Sequence, residues 1–178
     1  ETCESNVIAV VGMPLSAGNS LLNVAVVIYK GSVLGVVPKT ILNGDEKRWF
    51  TTLDYFGTDS LTLCNQEVLV GSQILFRMGH STFSIAFSDD VQAPKSIADN
   101  LALQGAEMLL IPAADNDVLG RYTYTTQQLT QQSAALLAAH IYCSSGFGES
   151  TTDTVYAGNA IILEKGKMLA QSERFCME

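Results

Sequence analysis

The side chains able to do chemistry are few and well separated. Lys39 follows Val37-Pro38, and Asp45-Glu46-Lys47-Arg48 makes a charged turn. Ser88 precedes the acid pair Asp89-Asp90, Asp115 and Arg121 follow, and the two histidines are His80 and His140. Adjacent carboxylates raise the question of a metal, but neither histidine stands at ligand spacing to them, so a turn carrying two acids is the expectation. The four cysteines, Cys3, Cys64, Cys143 and Cys176, form no C-x-x-C pair, which predicts reduced structural thiols rather than a zinc site or redox dithiol. Cys64 and Cys143 lie in strand-like surroundings, where a buried thiol is inert. On its own residue chemistry Ser88 is a turn serine, because a hydroxyl without a strong adjacent base stays protonated at neutral pH. His140 falls late in an apolar helix, as a packed or capping residue.

Hydrophobic period and turn residues predict the elements that must position these groups. Val7 to Gly12 is a continuous apolar run with a glycine stop, which predicts a strand buried on both faces. Asn23–Tyr29 and Ser32–Val37 are β-branched runs joined at Lys30-Gly31, a hairpin in which glycine supplies the positive φ of a tight turn. A similar hairpin is predicted where Ala160–Leu163 and Met168–Ala170 flank Glu164-Lys165-Gly166-Lys167. Ile74–Arg77 and Phe83–Phe87 read as strands, followed by the Asp89-Asp90 turn and a helix from about Pro94 to Gln104. Met108–Ile111 is a buried strand ended by Pro112, and Thr126–Ile141 a long helix with Leu129, Leu136 and Leu137 near helical spacing. Strands alternating with helices, together with hairpins, imply an α/β layered domain with a mixed sheet.

Composition bounds the function. With 178 residues and a 47% apolar fraction the chain can bury one substantial core. A net charge of −8, with only ten Lys and Arg, excludes nucleic acid and anionic membrane surfaces, which require a basic footprint. No apolar run approaches the roughly 18 residues needed to span a bilayer, and the first residues lack the layout of a signal peptide. The expectation is a cytoplasmic protein. A chain that starts at Glu1 and runs at once into a β-rich segment reads as a fragment.

Several motifs carry a family resemblance. Gly12-Met13-Pro14-Leu15, Asn23-Val24-Ala25-Val26-Val27, Lys30-Gly31 and Val37-Pro38-Lys39-Thr40 resemble, in order and spacing, the middle of a nitrilase (carbon–nitrogen hydrolase) domain. Further on come Gly148-Glu149-Ser150-Thr151-Thr152-Asp153, Ala157-Gly158-Asn159 and Leu169-Ala170-Gln171-Ser172-Glu173-Arg174-Phe175. That combination resembles the glutaminase domain of bacterial glutamine-dependent NAD synthetases. The resemblance implies an αββα sandwich over residues 1–178, incomplete on its N-terminal side, that pairs with a second copy across an interface. In that family this domain hydrolyses glutamine without a cofactor. ATP and deamido-NAD belong to a separate synthetase domain, which this chain lacks.

The resemblance also assigns roles. Lys39 falls at the lysine that holds the oxyanion, and Glu46 at a second glutamate that orients it. Ser88 occupies the nucleophile position, where the family uses cysteine. Asp115 and Arg121 stand where a serine and a lysine contact glutamine, Asp45 where a tyrosine is common, and Asp89 where a glutamate is. The general-base glutamate has no counterpart, since Glu1 and Glu4 sit in no matching context. Losing catalytic members that act as a unit costs on the order of a millionfold in rate, so a glutaminase-dead domain is predicted. A non-catalytic nitrilase-like assembly module, or an amidase rebuilt around Asp115 and Arg121 for a charged substrate, are the alternatives.

Overall fold

The computed structural model describes residues 6–55 and 59–176. Cys3, Glu1 and Glu4 lie outside them. The chain divides into two compact units, residues 1–74 and 75–178.

In the first unit, β1 (Ala9–Ala17), β2 (Ser20–Tyr29) and β3 (Ser32–Pro38) form an antiparallel sheet in that order. The β2–β3 turn is as predicted: Lys30 and Gly31 both take positive φ, 47° and 76°, the two-residue geometry that matches strand twist. β2 is the central strand, and Val24 to Val27 are each at most 3% exposed. The apolar run from Val7 is a correction. It leads into β1, an edge strand on which Val11 and Met13 are exposed, and Val7 is 65% exposed. An unbroken apolar run does not distinguish an edge strand from a doubly buried one. Pro14 fits this edge. Asn23, its partner across the ladder, gives its carbonyl to Lys39 on the β3 side, so Pro14 and Asn23 are a non-hydrogen-bonded pair. The nitrogen of Pro14 therefore faces away from β2, where a missing donor breaks no bond.

A second hairpin, β4 (Ser60–Leu63) and β5 (Gln66–Leu69), was not predicted. Its turn is Cys64-Asn65, both at positive φ. Cys64 is thus an exposed turn residue and not a strand residue. Leu22, Val24, Val26, Val36, Val68 and Val70 pack together as this unit's core.

The second unit is built on a six-stranded sheet. β6 (Phe76–Met78), β7 (Ser81–Ile85), β8 (Met108–Ala113), β9 (Ala139–Ser144), β10 (Ala160–Glu164) and β11 (Lys167–Gln171) lie side by side in chain order. β7, β8 and β9 are parallel and the outer pairings antiparallel. Two short helices, α1 (Ser88–Gln92) and α2 (Ile97–Leu103), link β7 to β8, and α3 (Arg121–Leu136) links β8 to β9. Parallel neighbours require such crossovers. Val91, Leu101 and Leu129 from the helices pack on Leu109, Ile111, Tyr142, Ile161 and Leu163 from the strands. Burying each such aliphatic side chain contributes about 1.5–3 kcal/mol.

Four expectations are corrected here. Asp89 and Asp90 lie in the first turn of α1, not in a loop turn. α2 starts at Ile97, because the Ser96 hydroxyl caps it by accepting from the Ala98 N–H, 3.1 Å away; Pro94 precedes it. β8 runs through Pro112 to Ala113. Leu110 gives its carbonyl to Ala86, so Pro112, two residues on, also turns its nitrogen toward the β7 side, where β7 has ended. Finally, α3 starts five residues before Thr126 and stops at Leu136, so His140 lies in the interior strand β9. It is fully buried, and its Nδ1 lies 3.1 Å from the Ala138 carbonyl.

The C-terminal hairpin agrees with its expectation, turning at Lys165 and Gly166. The Gly166 N–H donates to the Ser133 hydroxyl on α3 at 2.9 Å, and a Cβ at residue 166 would lie 2.9 Å from the Ala134 Cβ.

Candidate active site

Two constellations of polar side chains are present, one in each unit. In the first, Lys39 lies just beyond the C-terminal end of β3 and is 7% exposed. Its ammonium is held by both carboxylate oxygens of Glu46, at 2.8 and 2.7 Å. Asn23 donates to the same carboxylate at 3.0 Å, and the Asn43 N–H at 2.9 Å. The Asn43 side chain in turn accepts from the Glu46 and Asp45 N–H groups, which fixes the 3₁₀ turn Glu46–Arg48 that carries Glu46. Lys39 and Glu46 thus form an oriented pair in which a fixed cation faces a fixed anion. Asp45 is exposed beside them.

The second constellation gathers at the carboxyl ends of the parallel strands, where open α/β sheets place their ligands. Ser88 follows β7 as the first residue of α1, Asp115 follows β8, Tyr142 lies in β9, and Arg121 opens α3. The Ser88 hydroxyl donates to Asp115 Oδ2 at 2.7 Å. The Tyr142 hydroxyl donates to the same oxygen at 2.9 Å. Gln92, one turn along α1, donates its amide to Ser88 Oγ at 2.6 Å and accepts from Arg121 Nη2 at 3.1 Å. Arg121 Nη2 closes the ring at 3.4 Å from Asp115 Oδ1. Burial, reinforced by the Asp115 carboxylate, holds the Tyr142 phenol well above the usual range, so it stays a protonated donor. Ser88 is 4% exposed.

This arrangement does little to activate Ser88. Its proton is directed at a carboxylate already occupied by Tyr142 and Arg121, and a carboxylate is a far weaker base than an alkoxide. Behind the ring lies a cavity of about 10 Å³, lined by Asp115, Arg121, Thr125, Tyr142 and Asn159 among others. That is room for about one water molecule. Asp89 sits beside Ser88 on α1.

Sequence reading therefore placed Lys39 with Glu46, and Ser88 with Asp115 and Arg121. It missed Gln92 and Tyr142. Gln92 stands four residues after Ser88, a helical spacing that goes unread when the segment is taken as a turn. Tyr142 shares a strand face with His140, a signal lost when the helix is extended to Ile141. Cys143, also on β9, is exposed rather than buried. Among the described residues, no group of three or more His, Cys, Asp or Glu is placed to hold a metal. Among them, too, no helix is long and apolar enough to cross a membrane.

The fold is similar to that of solved structures from the nitrilase superfamily. An amidase of that superfamily from Nesterenkonia AN1 superposes with a TM-score of 0.74 at 18% identity, over 94% of this chain and 58% of that one. Within this class the sequence is similar to glutamine-dependent NAD synthetases, as the motifs implied. The synthetase of Mycobacterium tuberculosis is 33% identical over 175 residues, which cover 94% of this chain and 26% of that protein. The structure of a glutamine-dependent NAD synthetase from Cytophaga hutchinsonii superposes with a TM-score of 0.84 at 19% identity, over 97% of this chain and 28% of that one. The chain thus spans about a quarter of the length of these synthetases. No family model matches it.

Proposed function

We propose that this chain is the glutaminase-type part of a glutamine-dependent NAD synthetase in which glutamine hydrolysis has been lost. A synthetase domain elsewhere in the parent protein would use ATP and deamido-NAD and would take free ammonia in place of glutamine-derived ammonia. A second copy of the chain would pair with it as nitrilase-type domains do.

One observation carries the loss: the residue at the nucleophile position is a serine whose proton is directed into the Asp115–Tyr142–Arg121 cluster. The Lys39–Glu46 pair is retained and ordered, which supports descent from a working oxyanion site. The alternative of a charged-substrate amidase is less favoured, because Arg121 is engaged by Asp115 at 3.4 Å and by Gln92 at 3.1 Å.

The test is NAD formation by the full-length parent protein with either glutamine or ammonium as nitrogen source. Ammonium is expected to support turnover, and glutamine to give no more than background. Glutamine-driven NAD formation that disappears in Ser88→Ala would overturn the reading.

A further inference from the structure

We propose that Asp115 is a positioning residue that holds position 88 in its protonated, hydrogen-bond-donating form, so that the loss of a nucleophile is enforced by residue 115 as well as by the serine itself. The proposal rests on the reading of Ser88 as the nucleophile position. It adds that restoring a cysteine there does not restore a thiolate.

The geometry sets the sign. The nearest group to Ser88 Oγ on the side of β8 is Asp115 Oδ2, at 2.7 Å. A thiol placed there would donate to the same oxygen. Ionising it would set two negative charges at hydrogen-bonding distance, which disfavours the anion. From β9, Tyr142 is a neutral donor to Asp115, and burial keeps it so. From α3, Arg121 is the one cation in the ring. It lies against the other carboxylate oxygen, Oδ1, at 3.4 Å, and reaches Ser88 only through Gln92. Asp89 and Asp90 are the other titratable residues of α1. Within this unit the closest charge is thus anionic, and the cation is one residue removed. A helix of five residues supplies little dipole to offset this. Reactive cysteines require the opposite, an electropositive surrounding.

The experiment is the pH dependence of iodoacetamide alkylation at position 88 in the full-length parent protein, read by peptide mass spectrometry so that the native cysteines are scored separately. In Ser88→Cys, half-maximal reactivity is expected above the ordinary thiol value of about 8.5. In Ser88→Cys combined with Asp115→Asn, which keeps the shape and removes the charge, it is expected to fall by about one pH unit, giving roughly tenfold faster alkylation at neutral pH. Ser88→Cys with Tyr142→Phe serves as a second variant. It frees Asp115 of a donor and is expected to move reactivity to still higher pH. A thiol in Ser88→Cys that ionises at or below the ordinary value, or that ignores both second-site changes, overturns the proposal. Because alkylation does not require glutamine, failure here is distinguishable from failure of the glutaminase reading.

Discussion

Asp115 takes hydrogen bonds from Ser88 and Tyr142 through one oxygen and meets Arg121 at the other, so single-residue changes around it have separable effects. Tyr142→Phe removes one buried donor to a charged acceptor and is expected to cost about 1.5–3 kcal/mol, measured by urea denaturation. Lys39→Met leaves the Glu46 carboxylate with only neutral donors in a largely buried site. A loss on the order of 3 kcal/mol is expected. His140 gives a pH dependence. Burial pushes its imidazole below the ordinary 6.5, so the unfolded chain takes up a proton before the folded one does. Stability is therefore expected to be flat above about pH 6.5 and to fall as the pH drops below it, with the decline reduced in His140→Leu. Thermal denaturation between pH 5 and 7 measures the difference. Of these residues Lys39, Glu46 and Ser88 were singled out by the motifs around them, and Asp115 and Arg121 by counting on from Ser88. Tyr142 and Gln92 were not, because their roles exist only once β9 and α1 have brought them to the ends of the parallel strands.

Elements announced by local chemistry were legible, and those set by tertiary context were not. Both Lys-Gly turns fell where predicted, because a two-residue turn with positive φ leaves a strong local signature. The Cys64-Asn65 turn lacks glycine and passed unread. α3 was placed too late because its sequence is mostly Thr, Gln, Ser and Ala, and only Thr125, Leu129 and Ser133 of it are buried. Its end at Leu137, in the left-handed conformation at φ 53°, carries no glycine to mark it. Two substitutions test what fixes these elements. Ser96→Ala removes the cap of α2 and is expected to cost about 1 kcal/mol. Gly166→Ala meets both a positive φ of 77° and the Ala134 Cβ at 2.9 Å, so a loss larger than about 1 kcal/mol is expected. Ala134→Gly in the same chain should recover only the steric part, which a double-mutant cycle resolves.

For the molecule as a whole, alternation of strands and helices gave the α/β class, and the motifs gave the nitrilase-like fold that the superpositions bear out. Composition alone could not have separated this fold from other α/β domains, since patterning reports layers and not strand order. The placement of Pro14 has a consequence for solubility. Among the described residues nothing pairs with the outer edge of β1, which carries exposed Val11 and Met13 and is the kind of surface on which chains stack edge to edge. Pro14 turns its nitrogen outward there and deletes one donor from the middle of the template, so a second strand cannot complete a ladder across it. Pro14→Val restores that donor and is expected to increase light scattering during concentration while leaving the β1–β2 ladder intact. A proline that contributes no bond to its own sheet thus leaves a gap in the outer row of donors on β1.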